Sequence, residues 1–217
     1  MTGTIHVTWH VSPVSPPQPQ RQCSTCGRPR PFRCSGKVRL NANGRRLDAW
    51  LIYNCTVCDR TWNLPLLDRV PVADIPPADL AAMQSSNPAW VKPRTFDLTA
   101  LRRHTTQVMM PSDLIVTKRL VEAGKADWSR TILAIEATWP TGQRLDRLLA
   151  HELGVSRSSL ATMQGSGGLC VVKGNRHAIK TPLVGSVILH FDADRIAERA
   201  RLALVSAFGL PPPGRGR

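Results

Sequence analysis

Four cysteines stand in two matched pairs, Cys23-x-x-Cys26 and Cys55-x-x-Cys58, with 28 residues between the pairs. A C-x-x-C turn lets two thiolates converge on one point. Two such turns supply the four soft ligands that a tetrahedral Zn2+ takes. Four thiolates leave no position for water or substrate, so the predicted site is structural rather than catalytic. A redox dithiol would normally precede a helix in a βαβ setting, and neither pair does. Cys34 lies between the pairs without a spaced partner and reads as a plain strand thiol, and Cys170, in the run Leu169-Cys-Val-Val172, reads as a buried strand cysteine. The six histidines are scattered, and each reads as a surface or satisfied residue rather than a ligand.

The chain between the pairs must return the second turn beside the first. Phe32 to Leu40 is strand-like, Asn43-Gly44 is a hairpin-turn signal, and Leu47 to Tyr53 is a second strand. That is the zinc-ribbon plan, with a hairpin longer than the usual spacing of about 15–20 residues implies. Elsewhere, Ile5, Val7, Trp9 and Val11 alternate as one face of a strand. Ser12 to Gln20 is proline-rich and reads as an extended linker. Short helices are predicted over Ala78–Ser85, from Asp97 through Thr105, and over Leu114–Gly124. A strand is predicted over Thr131–Thr138. A C-terminal helix capped by Asp192 ends at Gly209, and the tail PPPGRGR is disordered by composition.

Charge is the second signal. The 217 residues carry 29 Lys+Arg against 15 Asp+Glu, a net +14, which favours a polyanionic partner. The excess is uneven. Residues 21–60 are net +7 and residues 144–190 are net +4, with a nearly neutral stretch between. Arg39, Arg45 and Arg46 in the hairpin are therefore candidate phosphate contacts, and Trp50, Tyr53 or Trp62 could stack on bases if exposed. No apolar run is long enough to span a membrane, and the first twenty residues carry no signal-peptide pattern. Together with the cysteine usage, this leads to a cytoplasmic expectation.

The segment Arg39 to Asn63 resembles a bacterial family catalogued as domain of unknown function 1062. The likeness rests on Asn41-Ala-Asn43, on Asp48-Ala-Trp50-Leu-Ile-Tyr53 and on Thr61-Trp62-Asn63, and it extends from Trp9 to about His190. It implies no activity. A second stretch reads as helix, helix, strand, turn at Gly174-Asn175, strand. Leu145, Leu148 and Leu149 form the first apolar face, and Ser156 caps the second helix, Arg157 to Gln164. Two strands follow, Leu169–Lys173 and Val187–His190. This resembles the alpha-L RNA-binding module of a small-subunit ribosomal protein, tyrosyl-tRNA synthetase and many pseudouridine synthases. The matching residues are Arg144-Leu145-Asp146, Leu149, Ser156-Arg157, Gly168, Leu169, Val171, Pro182 and Gly185. The resemblance implies a structural Asp146 and RNA contacts by Arg144, Arg147, Arg157 and Lys173.

No nucleophile elbow, zinc-protease motif or phosphate loop is present, and no acid/base constellation stands out, so no catalysis is expected. The expected class is α+β. Residues 1–66 form a zinc-ribbon domain with the N-terminal strand. Residues 67–143 form a mainly helical connection with one strand. Residues 144–191 form the alpha-L-like module, 192–210 the C-terminal helix and 211–217 the tail. The leading expectation is a zinc-holding, non-catalytic RNA-binding accessory protein whose partner is structured RNA, with the ribosome a further candidate. The alternatives are a DNA-associated zinc-ribbon regulator and a thiol- or metal-responsive interaction protein.

Overall fold

Period-two burial builds both sheets. Leu47, Ala49, Leu51, Tyr53 and Cys55 are buried along one strand, while the residues between them are half-exposed. The computed structural model describes residues 3–122, 128–173 and 178–209. Among these are strands β1 (Gly3–Pro13), β2 (Gln18–Cys23), β3 (Arg28–Asn43), β4 (Arg46–Cys55) and β5 (Thr61–Pro71). Helices α1 (Pro77–Gln84), α2 (Pro88–Thr95) and α3 (Leu98–His104) follow, then strands β6 (Gln107–Met109), β7 (Leu114–Glu122) and β8 (Trp128–Ala137). The remainder is α4 (Leu145–Leu153), α5 (Arg157–Gly165), β9 (Leu169–Lys173), β10 (Gly185–Asp192) and α6 (Glu198–Phe208). The class is mixed α+β with two five-stranded sheets. The turn at Gly174-Asn175, Gly124 and the tail 211–217 lie outside the described residues.

The chain divides into two units, Ser15–Pro111 and Met1–Val14 with Ser112–Arg217. The first is an insertion in the second, made between β1 and β7. In the inserted unit the strand order is β5-β4-β3-β2-β6, all antiparallel. Met83 and Val91, from α1 and α2, and Leu101 from α3 are buried in clusters that include Leu47, Ala49, Leu51 and Tyr53. Asn87 accepts from the Ala89 N–H at 2.9 Å and Asp97 from the Ala100 N–H at 2.9 Å, which fixes where α2 and α3 begin. The β3–β4 turn is Gly44-Arg45, flanked by the pair Asn43↔Arg46. Gly44 alone of the two has a positive φ, +61°, so the glycine at the first central position shapes this turn and Asn43 stays in the strand.

In the other unit the order is β7-β1-β8-β10-β9, and β1 runs parallel to β8. Trp9, Leu133, Ile135, Leu145, Leu149, Leu189, Phe191 and Leu204 are wholly buried between this sheet and α4, α5 and α6. Phe208 brings α6 onto Trp9 and Phe191, with ring centroids 5.8 and 6.1 Å apart.

Several expectations change. Leu114–Gly124 was expected as a helix, yet Leu114–Glu122 is a strand paired antiparallel with β1. Ile115, Val116, Thr117 and Val121 are β-branched, and that preference prevails over the helix formers among them. The proline-rich Ser12–Gln20 segment is strand at both ends, in β1 and β2, while residues 14–17 connect the two units. Pro19 sits in β2 beyond the last β3 pair and bonds only towards β6, where a missing N–H is tolerated. The N-terminal strand pairs with β7 and β8, not with the hairpin. The stretch 67–143 contains β6, β7 and β8 as well as its helices. Asp192 caps a single 3-10 turn, Ala193–Arg195, accepting from the Asp194 N–H at 3.1 Å, and α6 begins only at Glu198.

Gly168 is a packing constraint. A Cβ there would meet Ile196 Cγ1 at 2.8 Å and the Arg195 carbonyl at 2.9 Å, and its own carbonyl accepts from the Asp192 N–H at 2.9 Å. Gly168→Ala is expected to lower stability by about 1–3 kcal/mol through overpacking. Chemical denaturation checks this, and an unchanged midpoint would refute the close approach.

Candidate metal centre and basic surfaces

The meander β2-β3-β4-β5 carries both C-x-x-C turns. Cys23 ends β2 and Cys55 ends β4. The connections β2–β3 and β4–β5 therefore fall at the same end of the sheet, and the pair Phe32↔Cys55 sets them side by side. The two turns share one local geometry. The Gly27 N–H donates to the Cys23 carbonyl at 2.9 Å, and the Asp59 N–H donates to the Cys55 carbonyl at 3.0 Å. The residue after each second cysteine is left-handed, Gly27 at φ +67° and Asp59 at φ +58°. Glycine adopts that region freely and aspartate tolerates it.

Four Sγ atoms, from Cys23, Cys26, Cys55 and Cys58, lie within 4.8 Å of one another. Cys23 and Cys55 are buried, and Cys26 and Cys58 are half-buried. The Cys23–Cys58 and Cys26–Cys55 sulfur separations are 3.5 and 3.9 Å. A disulfide needs about 2.05 Å. A tetrahedron of sulfurs about 2.3 Å from a central ion has an edge of about 3.8 Å. The donor set thus fits a metal ion, which four such ligands would surround with no position left open.

Four thiolates this close repel one another, so a cation is the natural partner of their ionised form. The Cys26 backbone N–H bonds the Cys23 sulfur and, against the effect of burial, draws that thiol down to about 7. Cys26 is pushed up to about 12, first by its hydrogen bond with Cys58 and then by burial. Cys34 stays outside the cluster. It sits opposite Tyr53 on β3 and accepts from the Gly36 N–H at 3.3 Å, and burial raises its thiol. Cys170, expected to be buried, is exposed on β9.

The candidate nucleic-acid contacts fall in both units. Arg39, Arg45 and Arg46 are exposed on the β3–β4 hairpin, and Arg46 Nη1 donates to the Arg69 carbonyl at 2.8 Å. Trp50 and Trp62 are half-buried and Tyr53 is wholly buried, so Tyr53 has no stacking face. In the other unit, Arg144 and Arg157 converge on Asp146. Arg144 Nη2 lies 2.7 Å from Asp146 Oδ2, and Arg157 Nη2 lies 3.1 Å from the same oxygen. Asp146 is only 6% exposed, so these arginines act first as its partners. Arg147 is exposed on α4, and Lys173 is exposed at the end of the edge strand β9. Sequence reasoning missed a third basic group, Arg21 with Arg102, Arg103 and His104, which lines one cleft in the inserted unit. The clue was the adjacent pair Arg102-Arg103 at a helix C-terminus.

Elemental analysis of protein purified under reducing conditions is expected to find one metal ion per chain. Cys55→Ser should lose most of that metal and destabilise the inserted unit, because binding worth about 10–16 kcal/mol in such sites is coupled to folding. Cys34→Ser should retain the metal. Loss of metal from Cys34→Ser would show that the fourth ligand is misassigned.

The family model described as protein of unknown function (DUF1062) matches residues 40–175, which is more than half of the chain. The match takes in the second C-x-x-C turn and runs through β9, while Cys23 and Cys26 lie before it. No curated protein matches the chain. No solved structure matches it either. Among the described residues no helix is long and apolar enough to cross a membrane. The chain belongs to the DUF1062 family.

Proposed function

We propose that the inserted unit is a zinc-ribbon domain whose four thiolates hold one structural Zn2+, and that the protein is a non-catalytic RNA-binding accessory factor acting on rRNA, tRNA or the ribosome. The observation that carries the metal half is the convergence of Cys23, Cys26, Cys55 and Cys58 within 4.8 Å on two matching turns. An all-sulfur tetrahedral set selects Zn2+ over the harder divalent ions. When bound, the ion ties the two turns of a small sheet together.

The RNA half is supported by net +14 and by exposed guanidinium groups on both units. The order α4, α5, β9, β10 over Leu145–Asp192 agrees with an alpha-L-like module. Within it, the buried Asp146 holds Arg144 and Arg157 beside the start of each helix. Arg147 and Lys173 then supply charge that no carboxylate neutralises among the described residues.

The test is a salt titration of binding to a folded tRNA and to a B-form DNA duplex. Affinity for the tRNA is expected to exceed that for the duplex and to fall steeply with salt. Arg147→Ala should flatten the slope by about 0.7–0.9 log units per log unit of salt. Binding to the duplex as tight as to the tRNA would overturn the RNA reading and favour a DNA-associated role.

A further inference from the structure

We infer that the cleft between β2 and the end of α3 binds the phosphodiester backbone of single-stranded RNA. The inference rests on the RNA reading above and adds a site, in the inserted unit, that the hairpin and module arginines do not include.

The cleft is open to solvent and has a volume of about 470 Å3. Arg21, Arg102, Arg103 and His104 line it, together with the amide side chain of Gln22 and with no carboxylate. Arg102, Arg103 and His104 are exposed, and among the described residues none of the three arginines forms an ion pair. Basic residues at a helix C-terminus ordinarily complement the helix dipole. Here α3 has only seven residues, and Arg21 Nη1 already donates to the terminal His104 carbonyl. The charge of Arg102 and Arg103 is left for a partner outside the chain.

The cleft wall is held in place. The Arg21 guanidinium stacks 4.3 Å above the Trp62 ring, and Trp62 in turn packs against Tyr53 at 5.3 Å and against Phe32 at 6.3 Å. The Thr105 hydroxyl donates to the Gln20 carbonyl, which ties the end of α3 to β2. A stacked guanidinium keeps its free N–H groups in a fixed plane, and that plane suits a phosphate. Arg21 is two residues before Cys23 and Trp62 is four after Cys58, so the sheet end that gathers the thiolates also fixes this wall. A single strand can lay its phosphates along this open basic cleft and stack a base on the guanidinium or imidazole plane.

The experiment uses the full chain, a fluorescently labelled twelve-residue oligouridine and anisotropy across a salt series. The parent is expected to bind, with a salt slope. Arg102→Ala/Arg103→Ala should weaken binding about tenfold or more and reduce the slope by about 1.4, at roughly 0.7 per contact on single strands. Arg103→Gln alone, the gentler change, should reduce it by about 0.7. Far-ultraviolet circular dichroism and metal content verify that each variant is folded. If the parent binds folded tRNA but not the oligouridine, or if both variants bind the oligouridine with the parent's affinity and slope, the cleft assignment falls while the RNA reading stands. If neither RNA binds the parent, both fall together.

Discussion

The inserted unit depends on one geometric fact, that two turns at the same end of a meander bring four sulfurs within 4.8 Å of one another. The sheet has modest means of its own. Its apolar contacts divide into two small clusters, one around Leu51, Tyr53 and Leu64 and another around Leu47, Ala49 and Met83. A small sheet of this kind gains much from a covalent-strength tie. A metal ion on the four sulfurs would supply it, and they converge because each turn has a left-handed residue after its second cysteine, Gly27 in one and Asp59 in the other. Without that bend the chain would not turn back after the second cysteine into β3 or β5.

A different constraint governs the other unit. Its central strand pair, β1 with β8, is parallel and joins residues more than a hundred positions apart. Such a pair forms only after the intervening chain has closed a long loop, which is slow and entropically costly. The insertion shortens the effective loop. Val14 N–H donates to the Asp113 carbonyl at 3.0 Å, and Pro13 pairs with Leu114, so the two ends of the insertion meet. The inserted unit's own outer strands begin the same way, with Gln18 opposite Met109. Chain ends that lie close together are what allow one domain to be inserted in another.

What the sequence made legible follows from local physics. The thiolate spacing, the long hairpin, the caps at Asp97 and Ser156 and the α4–α5–β9 order all depend on residues within a few positions of one another. What it hid was decided at long range. Leu114–Glu122 contains Lys118, Arg119, Leu120 and Glu122, good helix formers, yet it is a strand because β1 offers an edge. The prolines of residues 12–20 look like a linker, and Pro16 and Pro17 do lie in the connection, but Pro13 and Pro19 lie in β1 and β2, where a fixed extended φ suits a strand with one side unpartnered. Nothing near Ile5 or Val7 indicates that the first strand joins residues more than a hundred positions later.

Charge shows the same limit from the side of function. Arg144, Arg147 and Arg157 look equivalent as letters, and each adds one to the net charge. In the structure two of them are held by Asp146, a carboxylate too buried to stand alone, so their guanidinium groups are partly committed to holding the start of α4 beside the start of α5. Arg147 is not so committed. The same distinction separates Arg46, bonded to the Arg69 carbonyl, from Arg102 and Arg103, which have no ion-pair partner among the described residues. A basic protein meets its polyanion with the charges its own fold has not used, and those are found by counting partners rather than arginines.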